Sequence, residues 1–159
     1  MIDSKAHYVV ATAIIHHKGR FLIAKRASWE KVWPNRWTVP GGKLVASDYK
    51  NKPYTHGTIW YGVIGDLVRR EVLEEVGLTL GSLCYLTDLC YLRPDGVPTI
   101  VISMVGEYAS GEVRLCDALT EHAWVTLEQA KEYDLIEGLW EELEMVQHDL
   151  CSAIIDAKL

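Results

Sequence analysis

The sequence predicts one domain of the α/β (α+β) class, a sheet covered by helices. Three observations lead there. A length of 159 residues, 49% apolar and 24% charged, suits one hydrophobic core. Apolar β-branched runs are interleaved with helical segments. No repeat, low-complexity tract or composition shift marks a second domain across residues 1–159.

The elements follow in order. His7 to His17 is apolar and β-branched, Lys18-Gly19 is a turn, and Arg20 to Lys25 is a second such run, so the pair reads as a β-hairpin. A loop rich in Trp and charge, Arg26 to Arg36, leads to a short strand, Trp37 to Val39, that stops at Pro40-Gly41-Gly42, where the backbone can approach a neighbour closely. Asp48 to Gly62 has no period and reads as a loop. A helix from Val63 to Val76 is stopped by Gly77. Strands over Leu78 to Leu92 and Thr99 to Tyr108 are joined by the turn Arg93-Pro-Asp-Gly96. A strand through His122 to Val125, a short helix over Leu127 to Tyr133 capped by Thr126, and a long helix from Leu135 to about Ile155 complete the chain. The last helix carries its apolar stripe at Leu139, Leu143, Val146 and Leu150.

Composition excludes several functions. Sixteen basic against 22 acidic residues, with no long basic run, argue against a nucleic-acid polymer as partner. No apolar run is long enough for a membrane span, and the N-terminal residues lack the pattern of a signal peptide, so a cytoplasmic protein is expected. Cys84, Cys90, Cys116 and Cys151 are scattered and form no metal motif, which predicts buried free thiols. Six Trp and eight Tyr against one Phe suit either core filling or stacking on a flat ligand.

The chemistry is concentrated in Arg70-Glu71-Val72-Leu73-Glu74-Glu75-Val76-Gly77-Leu78. At about 100° per residue, Glu71, Glu74 and Glu75 fall within roughly 100° of one another, with Val68, Val72, Leu73 and Val76 expected on the opposite side. Like charges at this spacing cost about 0.2–0.5 kcal/mol per pair. Glu74 and Glu75 also stand at the negative end of the helix dipole. A hard divalent cation reverses the sign of each of these effects, and carboxylate oxygens are the ligands magnesium prefers. The plain alternative is a solvated acidic face.

At these residues the chain resembles the Nudix hydrolase superfamily, whose box is Gx5Ex7REUxEExGU with U aliphatic. Arg70 to Leu78 matches every fixed position of the second half. In the first half Gly42 is followed after five residues by Asp48, where the family usually has Glu. Counting seven residues back from Arg70 reaches Gly62 and not Asp48, so 14 residues are inserted between the halves, within a loop at about 48–62. Such an insertion is cheap in a surface loop. The order of strands and the segment His122 to Glu128 also look like the family, so the resemblance spans Tyr8 to Glu142.

The resemblance implies an α/β/α sandwich with a mixed sheet, and hydrolysis of a nucleoside diphosphate linked to a further group, dependent on Mg2+ or Mn2+. By that likeness Glu74 and Glu75 are metal ligands and Glu71 is a ligand or the base that orients water. Arg70 orients a carboxylate of the box, and Gly42 offers its carbonyl to the metal. Glu121 is the candidate further ligand, with Glu107 and Glu112 as competitors. Arg26 and Lys43 are candidate phosphate contacts, with structural pairing and solvation as the alternatives, and Asp48 is open. Trp37, Tyr49 and Trp60 are the substrate-binding candidates among the aromatic residues, which also include Trp29, Trp33, Tyr54, His56 and Tyr61 in the same loops. The insertion suits a lid or a homodimer contact equally. The leading expectation is a pyrophosphohydrolase of a nucleoside triphosphate or modified nucleotide. An ADP-ribose or nucleotide-sugar pyrophosphatase is the second reading, and a nucleotide-sensing domain without catalysis the third.

Overall fold

The computed structural model describes residues 3–156, with side chains described through residue 150. Seven strands form one mixed sheet: β1 (Tyr8–His17), β2 (Arg20–Arg26), β3 (Trp37–Thr38), β4 (Gly41–Lys43), β5 (Thr79–Leu92), β6 (Pro98–Ser110) and β7 (Leu119–Val125). Three helices accompany them: α1 (Val63–Val76), α2 (Leu127–Ala130) and α3 (Leu139–Asp156). The order β3-β2-β1-β6-β5 is central, β4 adds to β1, and β7 adds to β2. β1 and β6 run parallel over nine residue pairs from Tyr8↔Thr99 to His16↔Glu107. The other pairings are antiparallel.

Alternation along the central strands divides the core into two layers, because successive side chains leave opposite faces. Ala11, Ala13 and Ile15 of β1, with Leu22 and Ala24 of β2, pack on Leu67, Val68, Val72 and Val76 of α1. Ile14, Phe21 and Ile23 point the other way, onto Leu139, Leu143 and Val146 of α3. The result is the α/β/α sandwich expected from the sequence. A fully buried aliphatic side chain contributes about 1.5–3 kcal/mol, and four such residues on α1 and three on α3 hold the helices on the sheet. No helix among the described residues is long and apolar enough to cross a membrane.

Several local expectations change. β3 stops before Pro40 as expected, but Gly41–Lys43 then pairs antiparallel with β1 as a further strand. The short helix over 127–133 stops at Ala130, and α3 begins at Leu139, because 134–136 is bound to β3 by Trp37 N–H to the Asp134 carbonyl and Ile136 N–H to the Trp37 carbonyl, both 2.9 Å. Thr126 caps α2 as expected, its hydroxyl accepting from Gln129 N–H. Cys84 and Cys90 are exposed and Cys116 is half-buried, so the expectation of buried thiols fails for these three. The first two lie on β5 at the edge of the sheet, and Cys90 borders the cleft described below. The Cys151 side chain lies outside the described residues.

Leu73 is also corrected: it is 58% exposed. At 3.6 residues per turn it lies about 140° round the helix from Val68, whereas Glu75 lies only about 20° from it. The acidic face therefore borders the core instead of opposing it. Leu67→Ala should lower stability by about 2–5 kcal/mol, and Leu73→Ala by no more than about 0.5 kcal/mol. Urea unfolding of the two variants checks the assignment, and equal losses would refute it.

Candidate active site

α1 is delimited by glycines in the left-handed region, Gly62 at φ 73° and Gly77 at φ 74°, and the Gly77 N–H closes the last turn on the Leu73 carbonyl. This sets Glu71 and Glu75 against β4, with Glu74 exposed beside Arg70. The β4 ladder alternates, with Ala13 N–H on the Pro40 carbonyl and Leu44 N–H on the Val9 carbonyl, so Gly42 pairs with Ala11 and Gly41 faces away from β1. The freed Gly41 N–H donates to Glu75 Oε2 at 2.9 Å.

Both glycines are required by space. A Cβ on Gly41 would stand 2.4 Å from the Ala11 carbonyl oxygen, and one on Gly42 would stand 2.3 Å from the carboxyl carbon of Glu71. The close approach read from Pro40-Gly41-Gly42 is thus to β1 on one side and to a carboxylate on the other.

Electrostatics at the site are unbalanced. Burial pushes Glu75 up to about 7; the Gly41 N–H opposes this, Glu71 adds to it, and Arg26 lowers it. Burial also raises Glu71, with Arg70 opposing and Glu74 adding. Arg70 is shared among three carboxylates, at 3.0 Å from Glu71 Oε1, 3.0 Å from Glu74 Oε2 and 3.2 Å from Asp48 Oδ1. Asp48 also accepts from Val45 N–H at 3.0 Å, so this shorter acid reaches the helix despite the insertion that follows it.

Among the described residues no three His, Cys, Asp or Glu side chains are gathered in ligand geometry. Arg70 holds Glu71 and Glu74 to itself while Glu75 turns to Gly41. The donor set nevertheless suits a hard divalent cation. It consists of carboxylate oxygens, one of them too buried to stay ionised readily near neutral pH, beside a glycine backbone whose polar groups leave the sheet.

A cleft of about 430 Å³ opens on the α3 side of the sheet, within the range of small-molecule sites. Arg26 and Gly41 line it, and there it meets the Glu75 end of α1. Arg26 is oriented by Val32 and Glu30: Nε donates to the Val32 carbonyl at 2.8 Å, and Nη2 to Glu30 Oε2 at 2.7 Å. Trp33 and Tyr91 close over the cleft with ring centroids 5.4 Å apart. Trp33 holds φ 47°, an uncommon backbone for so bulky a residue.

Other candidates stand elsewhere. Lys43 lies over the Tyr8 ring at 5.5 Å. Glu121 is paired with Lys25 at 2.7 Å. Glu107 accepts from Ser82. Trp37 packs edge-on against Tyr133 and is absent from the cleft lining. Trp60 packs on Tyr49 and Tyr54 and donates its Nε1–H to the Lys52 carbonyl, so the insertion packs largely upon itself. Lys52 ties it to Asp66 in the first turn of α1 at 3.4 Å.

The sequence reading missed Glu30, Tyr91, Ser103 and Glu142 as cleft or site residues. One signal was present: Glu142 interrupts the stripe Leu139, Leu143, Val146 on its buried side.

The likenesses to known proteins agree with this geometry. No protein-family model matches the chain. The nucleoside triphosphatase NudI of Klebsiella pneumoniae is 26% identical over 140 residues, spanning 81% of this chain and 89% of that protein. The isopentenyl-diphosphate Delta-isomerase of Corynebacterium efficiens is 25% identical over 174 residues, 98% of this chain and 82% of that protein. Among solved structures, the MutT protein of Methanosarcina mazei Go1 has a TM-score of 0.69 at 23% identity, covering 93% of this chain and 98% of that one. The Nudix domain of Shewanella oneidensis NrtR, complexed with ADP ribose, has a TM-score of 0.70 at 13% identity, covering 92% and 90%.

A pH dependence follows for the protein without metal. Glu75 has a folded pKa above its unfolded value of 4.5, so its ionisation opposes folding. Its effect on stability is absent below pH 4.5, grows as pH rises to about 7, and is constant above that. Glu75→Gln should therefore gain up to about 3 kcal/mol relative to the unsubstituted chain at pH 8 and little at pH 4. Thermal melts in chelator at the two pH values check this, and a pH-independent difference would refute it.

Proposed function

We propose that this chain, a member of the Nudix superfamily by its fold and by the Arg70–Leu78 half of the box, hydrolyses a diphosphate linkage in a nucleoside triphosphate or modified nucleotide with Mg2+ or Mn2+. The observation that carries the reading is the meeting of the acidic end of α1 with the cleft at Gly41 and Arg26. The likeness to a nucleoside triphosphatase supports it.

Glu71, Glu74 and Glu75 would hold the cation, joined by the outward backbone of Gly41 in place of Gly42, whose polar groups belong to the β1 ladder. Bound, the cation supplies charge neutralisation on phosphate oxygens and a more acidic water. The chain's own residues do the rest. Arg26, fixed by Glu30 and Val32, presents a guanidinium to a phosphate at the inner end of the cleft. Glu71, oriented by Arg70 at 3.0 Å, is placed to accept the proton of the attacking water. Arg70 keeps Glu71 and Glu74 from repelling one another and is itself retained by Asp48. Trp33 and Tyr91 offer an apolar surface to the nucleoside.

A second reading has its own support: the alignment with the isopentenyl-diphosphate isomerase extends over nearly the whole chain. That enzyme's substrate also carries a diphosphate, which the same acidic helix and Arg26 would receive. The two readings differ in whether phosphate is released.

The test is a screen of nucleoside triphosphates, deoxynucleotides, oxidised nucleotides, ADP-ribose, nucleotide sugars and isopentenyl diphosphate, each with Mg2+ and with Mn2+. Release of phosphate or pyrophosphate from a nucleotide is expected. A double-bond shift in isopentenyl diphosphate without release would replace the reading. Glu75→Gln should reduce turnover by roughly a hundredfold or more. Millimolar Mg2+ should raise the melting temperature of the unsubstituted protein and leave that of Glu75→Gln nearly unmoved; flat curves for both would count against a metal site.

A further inference from the structure

The inner wall of the cleft carries a carboxyl group that the proposed chemistry does not use. Glu142, in the first turn of α3, is 8% exposed, and Ser103 of β6, 1% exposed, donates its hydroxyl to Glu142 Oε1 at 3.1 Å. Both residues line the cleft. No Lys, Arg or His among the described residues forms an ion pair with Glu142. Among the described residues Glu142 Oε2 has no hydrogen-bond partner and is not sealed from solvent, and Glu142 lines the cleft. A buried carboxyl without a counter-ion costs stability unless something else satisfies it. Among the described residues the Ser103 hydroxyl and the start of α3 favour its charge, while burial and the neighbouring Glu141 oppose it.

An ionised carboxylate only accepts hydrogen bonds, and its two oxygens suit two adjacent donors. The Trp33–Tyr91 pair, its rings tilted 37° to one another, supplies an aromatic surface in the same cleft, against which a planar ring can rest. Among the common nucleobases guanine alone presents two adjacent N–H donors, N1–H and the 2-amino group. Adenine and cytosine place a ring-nitrogen lone pair beside their amino group, and uracil flanks its N–H with carbonyls. Each of these sets a lone pair against the carboxylate. A site built on hydrogen bonds rejects such mismatches far more strongly than an apolar pocket does.

We propose that Glu142 is a specificity-determining residue that accepts from N1–H and the 2-amino group of a guanine base resting against Trp33 and Tyr91. This rests on the nucleotide-hydrolase reading and narrows its substrate to the guanine class.

The experiment compares kcat/KM for GTP, ITP, ATP and CTP with Mg2+. The unsubstituted protein should prefer GTP to ATP by roughly tenfold or more, with ITP, which lacks the 2-amino group, between them. Glu142→Gln keeps the side chain's shape and can still accept from Ser103. It should lose roughly tenfold on GTP, stay within about threefold on ATP, and melt no earlier. Equal use of GTP and ATP by the unsubstituted protein, or an equal loss on all four nucleotides in the variant, would overturn the proposal. If no nucleotide is cleaved, the hydrolase reading fails by itself, and calorimetric titration with GMP and AMP decides the matter. Tighter binding of GMP that Glu142→Gln abolishes supports the proposal, whereas equal affinities or no binding overturn it.

Discussion

The hydrogen bond from Gly41 N–H to Glu75 is the constraint around which the site is built. Glu75 lies on the arc of α1 that faces the sheet, where a carboxylate loses most of its water. The Gly41 N–H, turned away from β1, meets it there. Gly41 offers one because it faces Thr12 as a non-hydrogen-bonded pair of the ladder. It can lie so close to β1 only because it has no Cβ. The desolvation that remains leaves Glu75 near neutrality in its pKa, and a cation would remove that cost.

Arg70 manages the rest of the charge. One guanidinium serves Glu71, Glu74 and Asp48, which keeps three acids close without a metal. Asp48 ends a 3-10 turn, Ala46–Asp48, and its bond to Arg70 ties the segment after β4 to α1 across the loop at 48–62. The insertion then folds onto its own aromatic residues and the first turn of α1. Closing a longer loop between ends already held in place adds little entropy cost, so the helix and β4 keep their relation.

The sheet separates two tasks. Its α1 face supports the acidic residues, and its α3 face, with Trp33, Tyr91 and Glu142, forms the wall of the cleft. The two meet at the short strand β4 and the end of β2, where Gly41 and Arg26 stand. A diphosphate placed at that junction would have its cation on one side and its organic group on the other.

Local pattern was enough to read the hairpin, α1 with its glycine stop, the long strands β5 and β6 and the acidic cluster, since each depends on residues near in sequence. The same holds for the need for glycine at positions 41 and 42. The sequence did not disclose that Glu75 borders the core, because that depends on which arc of α1 the sheet selects. It did not separate Trp33, which closes the cleft, from Trp37, which packs on Tyr133, or from Trp60, which packs inside the insertion. These tryptophans are chemically alike, and only the partner each meets distinguishes them. Ser103 and Glu142, 39 residues apart, acquire a shared role only when β6 and α3 are brought together. Chain-local chemistry thus determined the elements and the kind of site, while tertiary packing decided which side chains enter it, because burial and proximity are properties of the assembled layers.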